Sequence, residues 1–234
     1  LTTLDTAIVL ARAQDAAADL VQVEHVARAR DGRLYHQSRD THFDQISAFI
    51  KSVRGSDPDG ALYWLVTMLE SGESPRFLAR RLVILASEDI GLADPMGLVL
   101  ADAAARTVEF IGLPEGRLTL AHATLTLALM PKSNSVTRAL GAVTRAVQEG
   151  GVVEVPDHLR GSNYRGATEQ GFGTDYRYPH DYERGWVDQQ YLPDALVGQR
   201  YFEPGEYGRE KALVEQWRAM VQREDEANSG PSVE

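Results

Sequence analysis

The sequence contains no cysteine, which excludes a disulfide framework, a thiol nucleophile and a thiolate metal site. Lysine is nearly as scarce. Lys51, Lys132 and Lys211 are the only lysines among 24 basic residues, which face 34 acidic ones for a net charge of -10. Wrapping nucleic acid by counterion release needs many cations aimed at phosphates, so any such contact here is expected to be local. Long apolar runs are missing too. No window approaches the roughly 18 uncharged residues that a bilayer span requires, and no basic segment leads into an apolar stretch near the start, as a secretion signal would. These absences point to a cytoplasmic chain with no membrane partner.

What is present suits a globular protein. At 234 residues, 43% hydrophobic and 25% charged, the chain is long enough for one large domain or two small ones, each with an apolar core. The acidity is concentrated late: residues 1–150 carry 15 basic and 18 acidic groups, whereas residues 151–234 carry 9 and 16. The chain begins at Leu1 instead of Met, inside a segment that reads as helical, as expected of a fragment of something longer.

The middle of the sequence repeats one device: a polar cap, a proline at the first helical position, an apolar-periodic run and a stop. Asp57-Pro58 opens a predicted helix with Ala61, Leu62, Leu65, Met68 and Leu69 on one face, closed by Gly72. Ser74-Pro75 opens another with Phe77, Leu78, Leu82, Leu85 and Ala86, and Asp94-Pro95 a third with Leu98, Val99, Ala103 and Val108. After Pro114 the apolar positions are Leu118, Ala121, Leu125 and Leu129. Pro131 stops that helix, and Ser133 caps one carrying Val136, Leu140, Val143 and Val147. Upstream, Phe43, Ile46, Ile50 and Val53 predict a helix of the same bundle. Residues 2–13 and 22–30 read as two shorter helices, and residues 31–41 as a linker. Residues 152–204 lose periodicity and gain Tyr, Gly and Pro, which predicts an irregular segment laying its rings against helices. A last helix is expected at 206–222, then a disordered tail over 223–234. The fold class is therefore mainly α, a helical bundle followed by an irregular aromatic-rich segment.

The chemistry-bearing residues are few. A phosphate loop needs glycines ahead of its Lys and Ser/Thr, and neither Lys51-Ser52 nor Lys132-Ser133 has them. Leu82 to Leu85 followed by Glu88-Asp89 superficially resembles a strand ending in magnesium-binding acids, but its place after Ser74-Pro75 favours a buried helix with acids at its far end. The six histidines form no metal-ligand spacing, and His122, among Ala and Leu, reads as a packing residue. Lys132-Ser133-Asn134-Ser135 is either an ordinary helix cap or a polar corner able to receive an anion. Lys51, Arg54, Arg76, Arg80 and Arg81 form the densest basic group, available to phosphates or a partner's carboxylates, or paired internally with Asp57, Asp59, Glu88 and Asp89. Arg80 and Arg81 cannot share one helical face. Tyr63 and Trp64 suit either core packing or a self-associating surface.

Several longer runs resemble one family. The stretch from His42 to Asp59, then Ala61 to Trp64, Ala79-Arg80-Arg81, Ala86 to Pro95 with Glu88 and Asp89, Pro131 to Asn134, Val155 to Arg160 with His158, Tyr176 to Asp181 and Gln190 to Pro193 look like the C-terminal region of the replication-associated recombination protein A family, also called MgsA. The resemblance runs in order over about residues 1–208. It implies an AAA+ ATPase whose ATP and magnesium sites lie upstream, with no cofactor, catalytic residue or metal in this chain. It further implies that residues 1–35 are the last helices of the AAA+ lid and residues 42–222 a helical tetramerisation domain. The expected setting is the nucleoid, at stalled or gapped replication forks, with single-stranded-DNA-binding protein and fork DNA as partners. After Leu159-Arg160 the family usually has an Asn-Ala-Pro-Thr-Lys segment, where this chain has Gly161 to Gly166.

Three readings compete. The leading one is an oligomerisation and partner-docking region in which Lys51, Arg54, Arg80, Arg81, Glu88, Asp89, Lys132, Ser133, Asn134, His158 and Arg160 supply anion, DNA or intersubunit contacts. The second is a helical DNA-binding module whose local patch is Lys51, Arg54, Arg80, Arg81 and Lys132. The third, a hydrolase built on Glu88, Asp89 and His158, requires a nucleophile, base and orienting group that spacing alone does not bring together.

Overall fold

A computed structural model describes residues 7–8, 11–12, 20–23, 26, 39–150, 153–161 and 173–221. Most of the two short early helices, the linker up to residue 38, residues 162–172 with most of the segment after Arg160, and the expected tail lie outside the described residues. Among the described residues there are seven α-helices and no strand, and no helix is long and apolar enough to cross a membrane. The chain divides into two compact units: Leu1–Gly91 with Pro95–Lys132, and Leu92–Asp94 with Ser133–Glu234.

From residue 39 onward the described residues of the first unit form a bundle of five helices: α1 (Arg39–Arg54), α2 (Pro58–Glu70), α3 (Pro75–Leu85), α4 (Met96–Ile111) and α5 (Gly116–Leu129). α1 begins at Arg39, so the last residues of the expected linker are helical. The caps of α2 and α3 are the predicted ones. The Asp57 carboxylate accepts from the Gly60 N–H and the Ser74 hydroxyl from the Phe77 N–H, each with proline at the first helical position. The next two starts differ. α4 is preceded by Pro95 in helical conformation without a side-chain cap, and α5 begins at Gly116, two residues beyond Pro114. Between α3 and α4 the chain widens into a π turn, Ala86–Ile90, ended by Gly91 at φ +50°, a conformation that favours glycine.

The core of this unit is one cluster. Phe49 and Val53 come from α1, Ala61, Leu65 and Met68 from α2, and Leu78, Leu82 and Leu85 from α3, joined by Ile90 of the π turn. α4 and α5 depart from their expected faces. α4 buries Gly97, Ala101, Ala104 and Val108, and α5 buries Leu120, Ala123, Leu127 and Ala128. Of the residues proposed from periodicity for these two helices, only Val108 is buried, while Leu98, Val99, Leu118 and Leu129 are exposed. In α4 the reason is size. Small residues on its packed face let helix axes approach closely, and a Cβ added at Gly97 would already lie 3.2 Å from Ile90 Cγ2, whereas α5 carries leucines on both sides and packs Leu120 and Leu127. His122, expected to pack, is also exposed.

The second unit carries α6 (Ser135–Gly150) and α7 (Gly208–Val221) with short 3-10 turns between them. The expected irregular segment is present, but its rings do not bury as predicted: Tyr176, Tyr178, Tyr182 and Tyr191 are all exposed. Side-chain to backbone hydrogen bonds order it instead, among them Gln189 Nε2 to Arg177 O at 2.8 Å and Gln190 Nε2 to Leu192 O at 2.9 Å.

Leu120→Ala is expected to cost about 2–5 kcal/mol in urea unfolding, the range for emptying a packed leucine site. Leu118→Ala, on the outward face, is expected to cost well under half of that, so the pair tests the face assignment of α5.

Candidate interaction site

In the first unit, the end of α1, the π turn after α3 and the end of α5 converge on one charged cluster. Arg54 Nε donates to Asp89 Oδ1 at 2.5 Å and its Nη2 to Glu88 Oε1 at 3.2 Å. A π turn fans consecutive side chains by a smaller angle than an α-helix does, which lets neighbouring acids meet one guanidinium fork. Asp89 is buried and Arg54 about half exposed. The hydrogen bond to Asp89 holds the Arg54 guanidinium above its ordinary value against the opposing effect of burial.

Lys132 joins this cluster from the far end of α5. Its ammonium donates to Ser56 Oγ and Ala128 O, both at 2.9 Å, and to Met130 O at 2.5 Å. It thus closes the carbonyl end of α5, where a cation is favoured. Burial pushes the Lys132 ammonium below the usual lysine value, with the Asp89 carboxylate opposing. The structure therefore brings Arg54, Glu88, Asp89 and Lys132 together, and both cations are engaged by groups of this chain.

The other basic residues are not gathered with them. Lys51 is exposed in the last turn of α1. Arg80 is exposed, its guanidinium 5.4 Å from the Phe77 ring centroid, and Arg81 is partly buried with an Nε that has no hydrogen-bond partner among the described residues. Arg76 pairs with Glu109 at 3.3 Å. The two arginines do take different faces, as helical geometry requires.

In the second unit, Ser133 and Ser135 do not face open solvent. Both are buried beside Glu210 and favour its charged form by hydrogen bonding; the Ser133 hydroxyl donates to Ser135 Oγ at 3.1 Å, and Glu210 Oε1 accepts from the Gly205 N–H at 2.9 Å. Burial pushes the Glu210 carboxyl up, but these hydrogen bonds and the nearby Arg138 outweigh it and hold the group below the usual carboxylate range. Gly205 is needed for this approach, because a Cβ there would lie 2.8 Å from Glu210 Oε2 and 2.9 Å from Ser133 Oγ. Asn134 is exposed, and its carbonyl accepts the Arg138 N–H at the start of α6. Ser133 is thus a local turn residue and an internal ligand of Glu210, where the sequence suggested an anion corner or a helix cap.

His158 Nε2 lies 2.7 Å from the Gln190 carbonyl, and Arg160 donates to Val155 O at 2.9 Å and pairs with Glu154 and Asp157. Both roles are local to the second unit. Glu88 and Asp89 are held by Arg54 in the first.

Sequence reasoning named Val136, Leu140, Val143, Val147 and Val99 as apolar helix positions but not as exposed ones, and it missed Met96 and Phe110. On α4, Met96, Val99 and Phe110 lie on the side opposite the buried face, with Phe110 90% exposed. On α6, Val136, Leu140, Val143 and Val147 form one helical stripe, and all four are exposed, Leu140 and Val147 at 67% each. The signal was available in α4, whose apolar residues exceed what one face can bury.

The comparisons with known proteins agree on one family. The family described as MgsA AAA+ ATPase C terminal matches residues 55–221. An uncharacterized AAA domain-containing protein of Mycobacterium tuberculosis is 49% identical over 220 residues, 92% of this chain and 49% of the relative. Replication-associated recombination protein A of Bacillus subtilis is 40% identical over 210 residues, 89% of this chain and 48% of the relative. The protein of that name in Escherichia coli K12 is 34% identical over 228 residues, 96% of this chain and 51% of the relative. The chain spans about half the length of these curated relatives.

Two predictions test the clusters. Arg54→Ala leaves the buried Asp89 carboxylate without its cation and is expected to cost about 3 kcal/mol in chemical denaturation, against under about 1 kcal/mol for Arg80→Ala. For Glu210, a depressed folded value means that its contribution is present above the ordinary glutamate value and is lost as pH falls through the folded one. The stability gap between the wild-type chain and Glu210→Gln should therefore be largest near neutral pH and shrink on acidification below the ordinary carboxylate range.

Proposed function

Because the chain belongs to the MgsA AAA+ ATPase C-terminal family, we propose that it is the oligomerisation and partner-docking region of a DNA-dependent ATPase acting in replication-fork maintenance, recombination and repair. The names of the B. subtilis and E. coli relatives support the setting. The observation that carries the oligomerisation half is the pair of outward apolar stripes on α4 and α6. Burying a side chain such as Leu140, Val147 or Phe110 contributes about 2 kcal/mol, and a second copy of the chain is the occupant that oligomerisation supplies. In this reading the chain forms a homotetramer and sets several ATPase modules around it. ATP and magnesium are held elsewhere in the parent protein, whose nucleoid setting brings it to fork DNA and single-stranded-DNA-binding protein.

A local DNA-binding patch is the less favoured alternative, since Arg54 and Lys132 are occupied internally.

Sedimentation velocity of the purified chain is expected to give a tetramer. Leu140→Asp combined with Val147→Asp is expected to shift it to smaller species without loss of helical circular dichroism. A monomer that persists across the accessible concentration range overturns the oligomerisation reading, and ATP hydrolysis by the purified chain overturns its non-catalytic role.

A further inference from the structure

Within its own chain α6 is barely supported. Over 16 residues it buries a single side chain, Ser135. A lone helix of this length is marginal in water, and helices are ordinarily held by an apolar face packed against a neighbour. The face exists here and is uncovered: Val136, Leu140, Val143 and Val147 are all exposed.

The spacing of these residues says what fits them. They are four, three and four positions apart, the alternation of a coiled-coil seam. Thr137 and Thr144 run along one edge of the seam, and Ala139 and Ala146 along the other. Such short flanking side chains let two helix axes approach closely. None of these positions is charged. Copies of a chain with a net charge of -10 repel one another, so self-contact is confined to surface free of charge, which the seam provides. A charged partner protein would gain no ion pair from edges of alanine and threonine.

The ends of the helix select the direction. α6 has no basic residue in its last turn and carries Glu149 there, close to the negative pole of its own dipole. Parallel alignment would bring two such ends together. Antiparallel alignment sets each beside the other helix's N-terminus, where an acid is favoured.

We infer that α6 pairs antiparallel with the α6 of a second copy of the chain, about a two-fold axis passing between Leu140 and Val143. Leu140 then packs on the partner's Val143, and Val136 on the partner's Val147. One helix face is smaller than the roughly 800 Å² per partner of a standard interface. A tetramer closed by two-fold axes needs two kinds of self-complementary contact, and α6 supplies one of them. This pairing rests on the oligomerisation half of the proposed function and adds which helix meets which, and in which direction.

Because the chain has no cysteine, introduced cysteines report proximity without background. Full 234-residue chains carrying Leu140→Cys and Val143→Cys are co-expressed, purified reduced and then oxidised. Each variant alone and Arg145→Cys, on the opposite side of α6, are treated in parallel. A disulfide needs Cα atoms within about 7 Å, which the antiparallel register provides between positions 140 and 143 of two copies and not between one position and itself. The co-expressed pair is expected to form covalent dimer roughly tenfold faster than any single variant, with light scattering of the reduced samples matching the unsubstituted chain. Cross-linking of Leu140→Cys alone as fast as the mixture means parallel pairing and overturns the inference. A tetramer whose mixed cysteines stay uncross-linked also overturns it, while leaving the oligomerisation reading standing. An unsubstituted chain that remains monomeric overturns both.

Discussion

The first unit depends on one buried ion pair. Asp89 is taken out of water at the end of a helix that has just widened into a π turn, and its charge is tolerable because the Arg54 guanidinium reaches it from another helix. The pair sets the axial register of α1 against α3. Lys132 extends the same constraint to α5, tying its last carbonyls to Ser56 just beyond α1. The apolar cluster holds these helices together without direction, whereas the charged cluster fixes how far each has slid along its neighbours.

The second unit uses the same logic with less apolar material. Glu210 is buried at the first turn of α7, where its Oε1 accepts the Gly205 N–H, Ser133 and Ser135 lie beside it, and Oε2 has no hydrogen-bond partner among the described residues. A carboxylate near the start of a helix is favoured by the helix dipole. The hydroxyls come from the beginning of α6, so the two helices of this unit are joined through a polar contact, with Val187 and Val214 as its buried apolar residues among those described from position 133 onward. This economy leaves the stripe on α6 exposed, a surface that the proposed function uses.

The legible parts of the sequence were those where local chemistry decides. Asp57-Pro58 and Ser74-Pro75 state their helix starts through the cap hydroxyl or carboxylate and the preset proline backbone, and the structure begins those helices there. Core faces were legible in α2 and α3, where Ala61, Leu65, Met68 and Leu69 and then Leu78, Leu82 and Leu85 fall at helical spacing and are all buried. They were not legible in α4, where large residues suggest one face and tertiary packing selects the small one, nor in α5, where leucines lie on both the buried and the exposed side. Periodicity counts apolar positions and is blind to how near another axis must come. The candidate site was legible in composition only. Arg54, Glu88 and Asp89 could be named as internal partners, but the role of Ser133 and Ser135 depends on Glu210, 75 residues or more away in the chain. The irregular segment was legible merely as a run rich in rings. It is ordered in part by hydrogen bonds of Gln189 and Gln190, which no pattern announces.

The close approach at Gly97 has an evolutionary corollary. A side chain at this position would press on Ile90 and Met130, so the inward side of α4 resists a gain in volume here. Substitutions that survive in this helix are therefore channelled to its opposite side. A lineage can reshape whatever meets that outer surface, rewriting how copies or companions recognise one another, while the interior of the bundle stays fixed.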